Sequence, residues 1–327
     1  MENQNCLKIV NICFLAIIII CFLYIIHLKS LYKNELKIIN NNDKIEEQLK
    51  MCYNSRNIIY SINRKVNESN LFTIQDKLNY LMIHESPDYK SKIADKILLH
   101  NYSIEKLGKD ICVPIIKIYN DSKEINLDDL PDKFVLKCNH GSAMNILCKN
   151  KSNFDIEKAK IQLNEWKNIN FGLKLYEFQY LNIDRKIFAE TFLKDNIEDY
   201  KIYCFHGIPK FIRVQKHLNG MNGKVNNYYD LNWQLTDIET GIPGFYRRPD
   251  IIFEKPINFD LMINYAKQLS KEFVFVRVDL YNVNGKIYLG EMTFSPSGNG
   301  FPLKNEKQSL ELGKLIDLSK ISKELFN

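Results

Sequence analysis

Two carboxylates lie inside otherwise apolar runs near the end of the sequence: Asp279 within Phe-Val-Arg-Val-Asp-Leu-Tyr (275–281) and Glu291 within Lys-Ile-Tyr-Leu-Gly-Glu-Met-Thr (286–293). Asn284-Gly285 between them is a turn signal, so the runs read as a hairpin carrying one carboxylate on each strand. A charge inside an apolar strand is costly unless something pairs with it. Two carboxylates from adjacent strands form an oxygen cage suited to Mg2+, which takes one or two of them and completes its shell with water and phosphate oxygens. Arg277, two residues before Asp279, leaves the strand on the same face and is a candidate to stabilise a developing anion. An ordinary Arg277–carboxylate ion pair is the competing reading.

Three further groups precede the hairpin. Phe134-Val135-Leu136 ends on Lys137 and opens into Cys138-Asn139-His140-Gly141-Ser142-Ala143-Met144-Asn145 before a second apolar run. A strand-end ammonium next to a small-residue turn with free backbone amides is a phosphate site in outline, though this is no Walker A motif and strand-end lysines are commonly solvated. Glu190 sits in the run 187–193. Asp199 and Lys201, two apart on the next strand, share a face and suit either a sugar hydroxyl and a phosphate or a surface ion pair with each other.

The elements that must position these groups alternate. Helical spacing over 73–107 (Leu78, Leu81, Met82, then Ile93, Ile97, Leu98, Tyr102) gives way to β-rich runs at 113–119 and 134–138 and an amphipathic helix at 155–168. Strands follow at 187–192, 200–205, 210–215, 273–280 and 286–294, with a helix at 260–271. Hairpins mixed with helices, such as 200–205 turning at His206-Gly207 into 210–215, argue an α+β fold with mainly antiparallel sheets.

The 327 residues, 45% hydrophobic and 26% charged, belong to a folded globular chain with room for one large unit. A net charge of +6 from scattered lysines and arginines argues against nucleic acid as a partner. Residues 9–26 are apolar except for Asn11, about the length that spans a bilayer as a helix, and no small-residue cleavage site follows. Lys29, Lys33 and Lys37 after this run predict a single-pass membrane anchor whose C-terminal body faces the cytoplasm. The eight cysteines include no C-x-x-C pair, which agrees with reduced thiols. The expected organisation is an anchor at 1–28, a stalk at 29–70, a catalytic body at 71–310 and a C-terminal helix at 311–327.

In their order along the chain, Lys137, Glu190, Asp199, Lys201, Arg213, Arg277, Asp279 and Glu291 resemble the ATP-grasp plan. The likeness is closer to the TupA-like ATP-grasp proteins of polysaccharide and teichuronopeptide synthesis. It rests on Leu130-Pro131-Asp132-Lys133-Phe134-Val135-Leu136-Lys137-Cys138-Asn139-His140-Gly141-Ser142, Asp199-Tyr200-Lys201, Cys204-Phe205-His206-Gly207, Tyr229-Asp230-Leu231-Asn232-Trp233, Arg277-Val278-Asp279-Leu280-Tyr281 and Gly290-Glu291-Met292-Thr293-Phe294, over roughly 76–302. The resemblance implies an ATP-grasp fold of two α/β subdomains clamping ATP and a carboxylate–amine ligase working through an acylphosphate. It implies that Lys137, Gly141, Ser142 and Lys201 hold phosphates, Glu190, Thr191 and Leu193 the adenine, Asp199 the ribose, and Asp279 and Glu291 Mg2+, with Arg213 and Arg277 acting on the acyl phosphate. The implied partners are a polysaccharide or glycolipid acid and an amine donor. A glycosyltransferase is the alternative enzyme, although no D-x-D triplet occurs, and a nucleotide-binding scaffold is the non-catalytic one. Two departures stand out: Ala143 where the family has a second glycine, which restricts the loop if a positive φ is needed there, and Thr293 where many ATP-grasp enzymes have asparagine.

Overall fold

The structure, a computed structural model, describes residues 71–172, 177–218, 223–298 and 303–321. The expected anchor at 1–28 and stalk at 29–70 lie outside these residues, and no helix among the described residues is long and apolar enough to cross a membrane.

The expected helical stretch at 73–107 is three helices: α1 (Ile74–His84), α2 (Pro87–Ala94) and α3 (Leu99–Leu107). Thr73 opens α1 with a reciprocal capping box, its Oγ1 accepting from the Asp76 amide (3.1 Å) while the Asp76 carboxylate accepts from the Thr73 amide (2.9 Å). Glu85 leaves the helix in an extended conformation ahead of Pro87, and Gly108, at φ +70°, terminates α3.

Two sheets follow. The smaller has the order β1-β4-β2-β3, from β1 (Ile115–Tyr119), β2 (Phe134–Cys138), β3 (Asn145–Cys148) and β4 (Ile187–Thr191), all antiparallel. Phe134, Leu136, Cys138, Ile187 and Ala189 point to one face and pack with Ala159 and Leu163 of α4 (Ile156–Asn168). The residues between them, Val135, Lys137, Phe188 and Glu190, form the other face, as period-two alternation requires.

The larger sheet comprises β5 (Asp199–Phe205), β6 (Ile208–His217), β7 (Lys224–Tyr229), β8 (Phe245–Tyr246), β9 (Phe275–Val283) and β10 (Lys286–Thr293), in the order β10-β9-β5-β6-β7-β8, with only the short β7–β8 pairing parallel. β7 was not read from the sequence, because Asn226 and Asn227 interrupt its apolar pattern. One face carries Ile202, Cys204, Ile212, Val214, Val276, Val278, Leu280 and Met292 against Met262, Ala266 and Leu269 of α5 (Phe259–Ser270).

A third cluster joins Tyr203, Phe205, Phe211, Tyr228 and Phe275 to Ile74, Leu78 and Leu81 of α1 and to Ile316 and Ile321. Among the described residues the last α-helix, α6, is Glu306–Gly313, which meets the expected helix at 311–327 only at its start; 322–327 lie outside these residues, and the core packing extends to Ile321, past the expected limit of 310. Gly313 passes so close to the start of α1 that a Cβ there would lie 2.1 Å from the Phe72 carbonyl oxygen.

Candidate active site

Two hairpins of the larger sheet, β5–β6 and β9–β10, turn tightly, through His206-Gly207 (φ +49° and +71°) and Asn284-Gly285 (φ +52° and +79°). Positive φ at both central residues is the two-residue turn whose twist matches the strands. From Val283↔Lys286, uninterrupted pairing would set Glu291 opposite Val278, on the apolar face. A β-bulge between Leu289 and Glu291 adds one residue, Gly290, and sets Glu291 opposite Asp279 instead. Gly290 has no room for a side chain, since a Cβ would lie 2.7 Å from the Tyr281 ring. The β5–β6 hairpin does the same: a register shift beyond Cys204↔Pro209 sets Arg213 opposite Lys201 rather than Tyr200. Each bulge moves a charged residue from the core face to the polar one.

Asp199, Lys201, Arg213, Arg277, Asp279 and Glu291 thereby share one sheet face, three cations and three carboxylates. Arg277 grips Asp279 with two donors, Nε to Oδ1 and Nη2 to Oδ2, both at 2.6 Å. Lys201 Nζ lies 2.6 Å from Asp279 Oδ2 and 2.5 Å from Asp199 Oδ2. Burial alone would raise the Asp279 carboxyl, but the charges and hydrogen bonds of Arg277 and Lys201 outweigh it and hold it below the usual range. Glu291 is likewise held low against burial, chiefly by the charge of Lys96. Its Oε1 accepts from the Tyr180 hydroxyl (2.8 Å) and from Thr293 Oγ1 (3.2 Å), which itself accepts from Arg277 Nη2 (2.9 Å). Thr293, at the departure noted above, therefore links the arginine to the glutamate.

The smaller sheet meets this face. Burial and the surrounding charges of Asp199, Glu190, Asp279 and Glu291 push the Tyr281 hydroxyl up, so a neutral phenol stands among four carboxylates drawn from both sheets. Lys137 forms an ion pair with Glu190, so two residues expected to contact different parts of a nucleotide contact each other. The Thr191 amide donates to the Pro114 carbonyl (2.9 Å) and is not available to a base; Leu193 lies beyond the strand end, half-buried.

The loop after Lys137 turns at Ala143, whose φ is +59°. The position does require the left-handed region, and alanine holds it at a cost of about 1–2 kcal/mol. Gly141 is buried, where a Cβ would lie 2.8 Å from Met144 Sδ and 2.9 Å from the Phe171 ring, while Ser142 is exposed. Asn139 pins the loop base, its Nδ2 donating to Asp95 Oδ1 (3.0 Å) and the Asp184 carbonyl (2.9 Å) and its Oδ1 accepting from the Lys186 amide (2.8 Å).

Lys96 and Tyr180 are the site residues to which the sequence reading gave no role. Lys96 Nζ donates to the Gly141 carbonyl (2.7 Å) and stands 5.6 Å from the Tyr180 ring centre, which brings the loop and Glu291 together. Tyr180, in a short 3-10 turn, carries no sequence signal.

The residues fit a nucleotide and its cation. Asp199 Oδ1, Arg213 Nε and Asn226 Nδ2 are buried on this face without a hydrogen-bond partner. They supply an acceptor, a cationic donor and a neutral donor where buried atoms are ordinarily satisfied. Among the described residues Arg213 makes no ion pair, and Glu291 Oε2 stays outside the hydrogen bonds that occupy Oε1.

The chain belongs to the TupA-like ATP-grasp family, whose model matches residues 76–317. That membership makes it a protein of the ATP-grasp class. Comparison with curated proteins finds no match. Among solved structures, the chain is similar to D-alanine–D-alanine ligase from Bacillus anthracis, at 18% identity over 69% of this chain and 66% of that one with a TM-score of 0.39. Against the same enzyme complexed with ATP the figures are 17%, 80%, 76% and 0.43. An L-amino acid ligase from Bacillus licheniformis matches at 12% identity over 63% of this chain and 45% of that one, with a TM-score of 0.39. The chain thus spans about half to three quarters of the length of these proteins.

Proposed function

We propose that the protein is an ATP-dependent carboxylate–amine ligase: the γ-phosphoryl group of ATP passes to a carboxylate oxygen, and an amine then attacks the acylphosphate to give an amide and phosphate. The observation that carries this reading is the buried face on which Arg277, Lys201 and Arg213 confront Asp279, Glu291 and Asp199. Burying so many ionised groups stabilises a fold poorly, since well-packed apolar replacements are often neutral or better. It does suit a reaction that spreads negative charge over phosphoryl oxygens in a site with little water.

In this reading Glu291 and Asp279 hold Mg2+, which supplies charge neutralisation to the phosphates. Asp279 must share its oxygens with Arg277 and Lys201, so Glu291 Oε2 is the more open ligand. Asp199 receives the ribose, Leu193 borders the adenine, and Lys137, Lys96 and the amides of Gly141 and Ser142 take the phosphates. Arg213, buried with a spare donor, and Arg277 face the acyl phosphate. The acceptor is an acid of a surface polysaccharide or its lipid-linked precursor, and the apolar run at 9–26 anchors the enzyme at the membrane with its body in the cytoplasm, where ATP is.

Incubating the full chain with Mg-ATP and pairwise panels of uronic or amino acids and amines, and following ADP release together with amide formation by mass spectrometry, tests the proposal. Release that needs both an acid and an amine supports it. Nucleotide binding without turnover for any pair favours the scaffold reading, and glycosyl transfer from a nucleotide sugar favours the transferase.

A further inference from the structure

Away from the polar sheet face, His100, Asp110 and Cys112 bring one ligand atom each to within 4.8 Å of one another. They border a cavity of about 570 Å3 that Asn258, Tyr265 and Tyr288 also line. Local structure fixes all three. His100 stands in the first turn of α3. Asp110 and Cys112 lie just past the Gly108 terminator, two apart on a short segment. Ser103 Oγ accepts from the Ile111 amide (3.0 Å), and the Ile111 carbonyl accepts from the Leu289 amide (2.8 Å). Asp110 Oδ1 accepts from the Cys112 amide (2.9 Å), which leaves Oδ2 facing His100 Nδ1 at 2.7 Å.

The His100–Asp110 contact alone is an ordinary half-exposed ion pair. Cys112 makes it more: it is 93% buried, yet its sulfur turns towards the two other ligands at the cavity wall. One imidazole nitrogen, one carboxylate oxygen and one thiolate, with open space beside them, match a three-ligand zinc site that keeps a fourth position for water or another ligand. The hydrogen bond to the second Asp110 oxygen is the outer support such ligands ordinarily have. Lys109 and Lys286 also line the cavity, and their ammonium groups lie over the rings of Tyr265 and Tyr288, 5.0 Å from each centre.

We infer that His100, Asp110 and Cys112 form a binding site for a zinc-class divalent cation, separate from the carboxylates of the polar sheet face. The segment that carries Asp110 and Cys112 continues to Pro114, whose carbonyl holds Thr191 of β4, while Ile111 holds Leu289 of β10. A cation here braces the connection between the two sheets.

The test is Co2+ titration of the reduced full chain, reading thiolate-to-metal absorption, with Zn2+ competition. The expected result is one equivalent of a thiolate-ligated Co2+ species that Zn2+ displaces. It should be absent in Cys112→Ser, weakened at least tenfold in His100→Ala and Asp110→Asn, and retained in Glu291→Gln. No thiolate band in the wild type, or the same band in Cys112→Ser, would overturn the site. Absence of the band in the wild type overturns the site without any variant, and His100→Ala and Asp110→Asn test the same ligand set should Cys112→Ser fail to fold.

Discussion

The two sheets hold their charges in different ways. On the larger, Asp279 is 2% exposed and is gripped by both Arg277 and Lys201, and each of the six charged residues of the cluster sits on a strand. On the smaller, Lys137 and Glu190 form a single pair on the two inner strands, their side chains 14% and 10% exposed, beside a loop whose turn rests on an alanine at φ +59°. The larger sheet is a preorganised floor, whereas the smaller contributes one pair and a turn held in a strained conformation. Fixed charge of the first kind belongs where charge develops during reaction.

The largest effect should come from cutting the floor. Asp279→Ala leaves Arg277 and Lys201 buried without their shared partner and should cost about 3–5 kcal/mol in urea unfolding. Lys137→Met, cutting the single pair of the smaller sheet and leaving only Glu190 without its partner, should cost less, about 1–3 kcal/mol. Equal losses would erase the contrast between the sheets.

A smaller effect concerns acid. Burial, and secondarily the Arg185 charge, lower His140 from 6.5 to about 4, so the unfolded chain binds a proton that the folded one refuses between those values. Stability should therefore fall as the pH drops from about 6.5 to about 4, and His140→Gln should flatten that part of the curve. Asp279 and Glu291 act lower down: held below their unfolded values, they stabilise the fold above about pH 4, and that contribution is lost as they protonate. A His140→Gln curve parallel to the wild type would refute the assignment.

The smallest effect is at the loop turn. Ala143→Gly removes the left-handed penalty but adds freedom to the unfolded chain, for a net gain of at most about 1 kcal/mol. Stability and apparent ATP affinity should both rise slightly; a clear loss would show that the alanine methyl makes a contact the loop needs.

Much of the floor was legible in the sequence. Carboxylates in apolar strands, an Asn-Gly turn and same-face spacing located Asp279, Arg277, Asp199 and Lys201. Yet tight-hairpin counting alone puts Glu291 and Arg213 on the wrong face. Only the bulges at Gly290 and near Pro209 bring them round, and a glycine or proline inside a strand pattern hints at a bulge without fixing the register it produces. Lys96 and Tyr180 escaped for the same reason, since their contacts join segments distant in sequence. Ala143 was read as restrictive if its φ were positive, and it is. The helical stretch at 73–107 was read whole because its apolar spacing runs across the breaks at Glu85 and Asp95.

The most direct measurement is ADP release by the full chain with Mg-ATP and its acid and amine pair, comparing wild type with Glu291→Gln. The substitution keeps shape and one acceptor oxygen while removing the charge. If the bulge-set polar face is the reacting centre, release should drop by on the order of 100-fold or more with the circular dichroism spectrum unchanged. Undiminished ADP release from a folded Glu291→Gln protein would contradict the account.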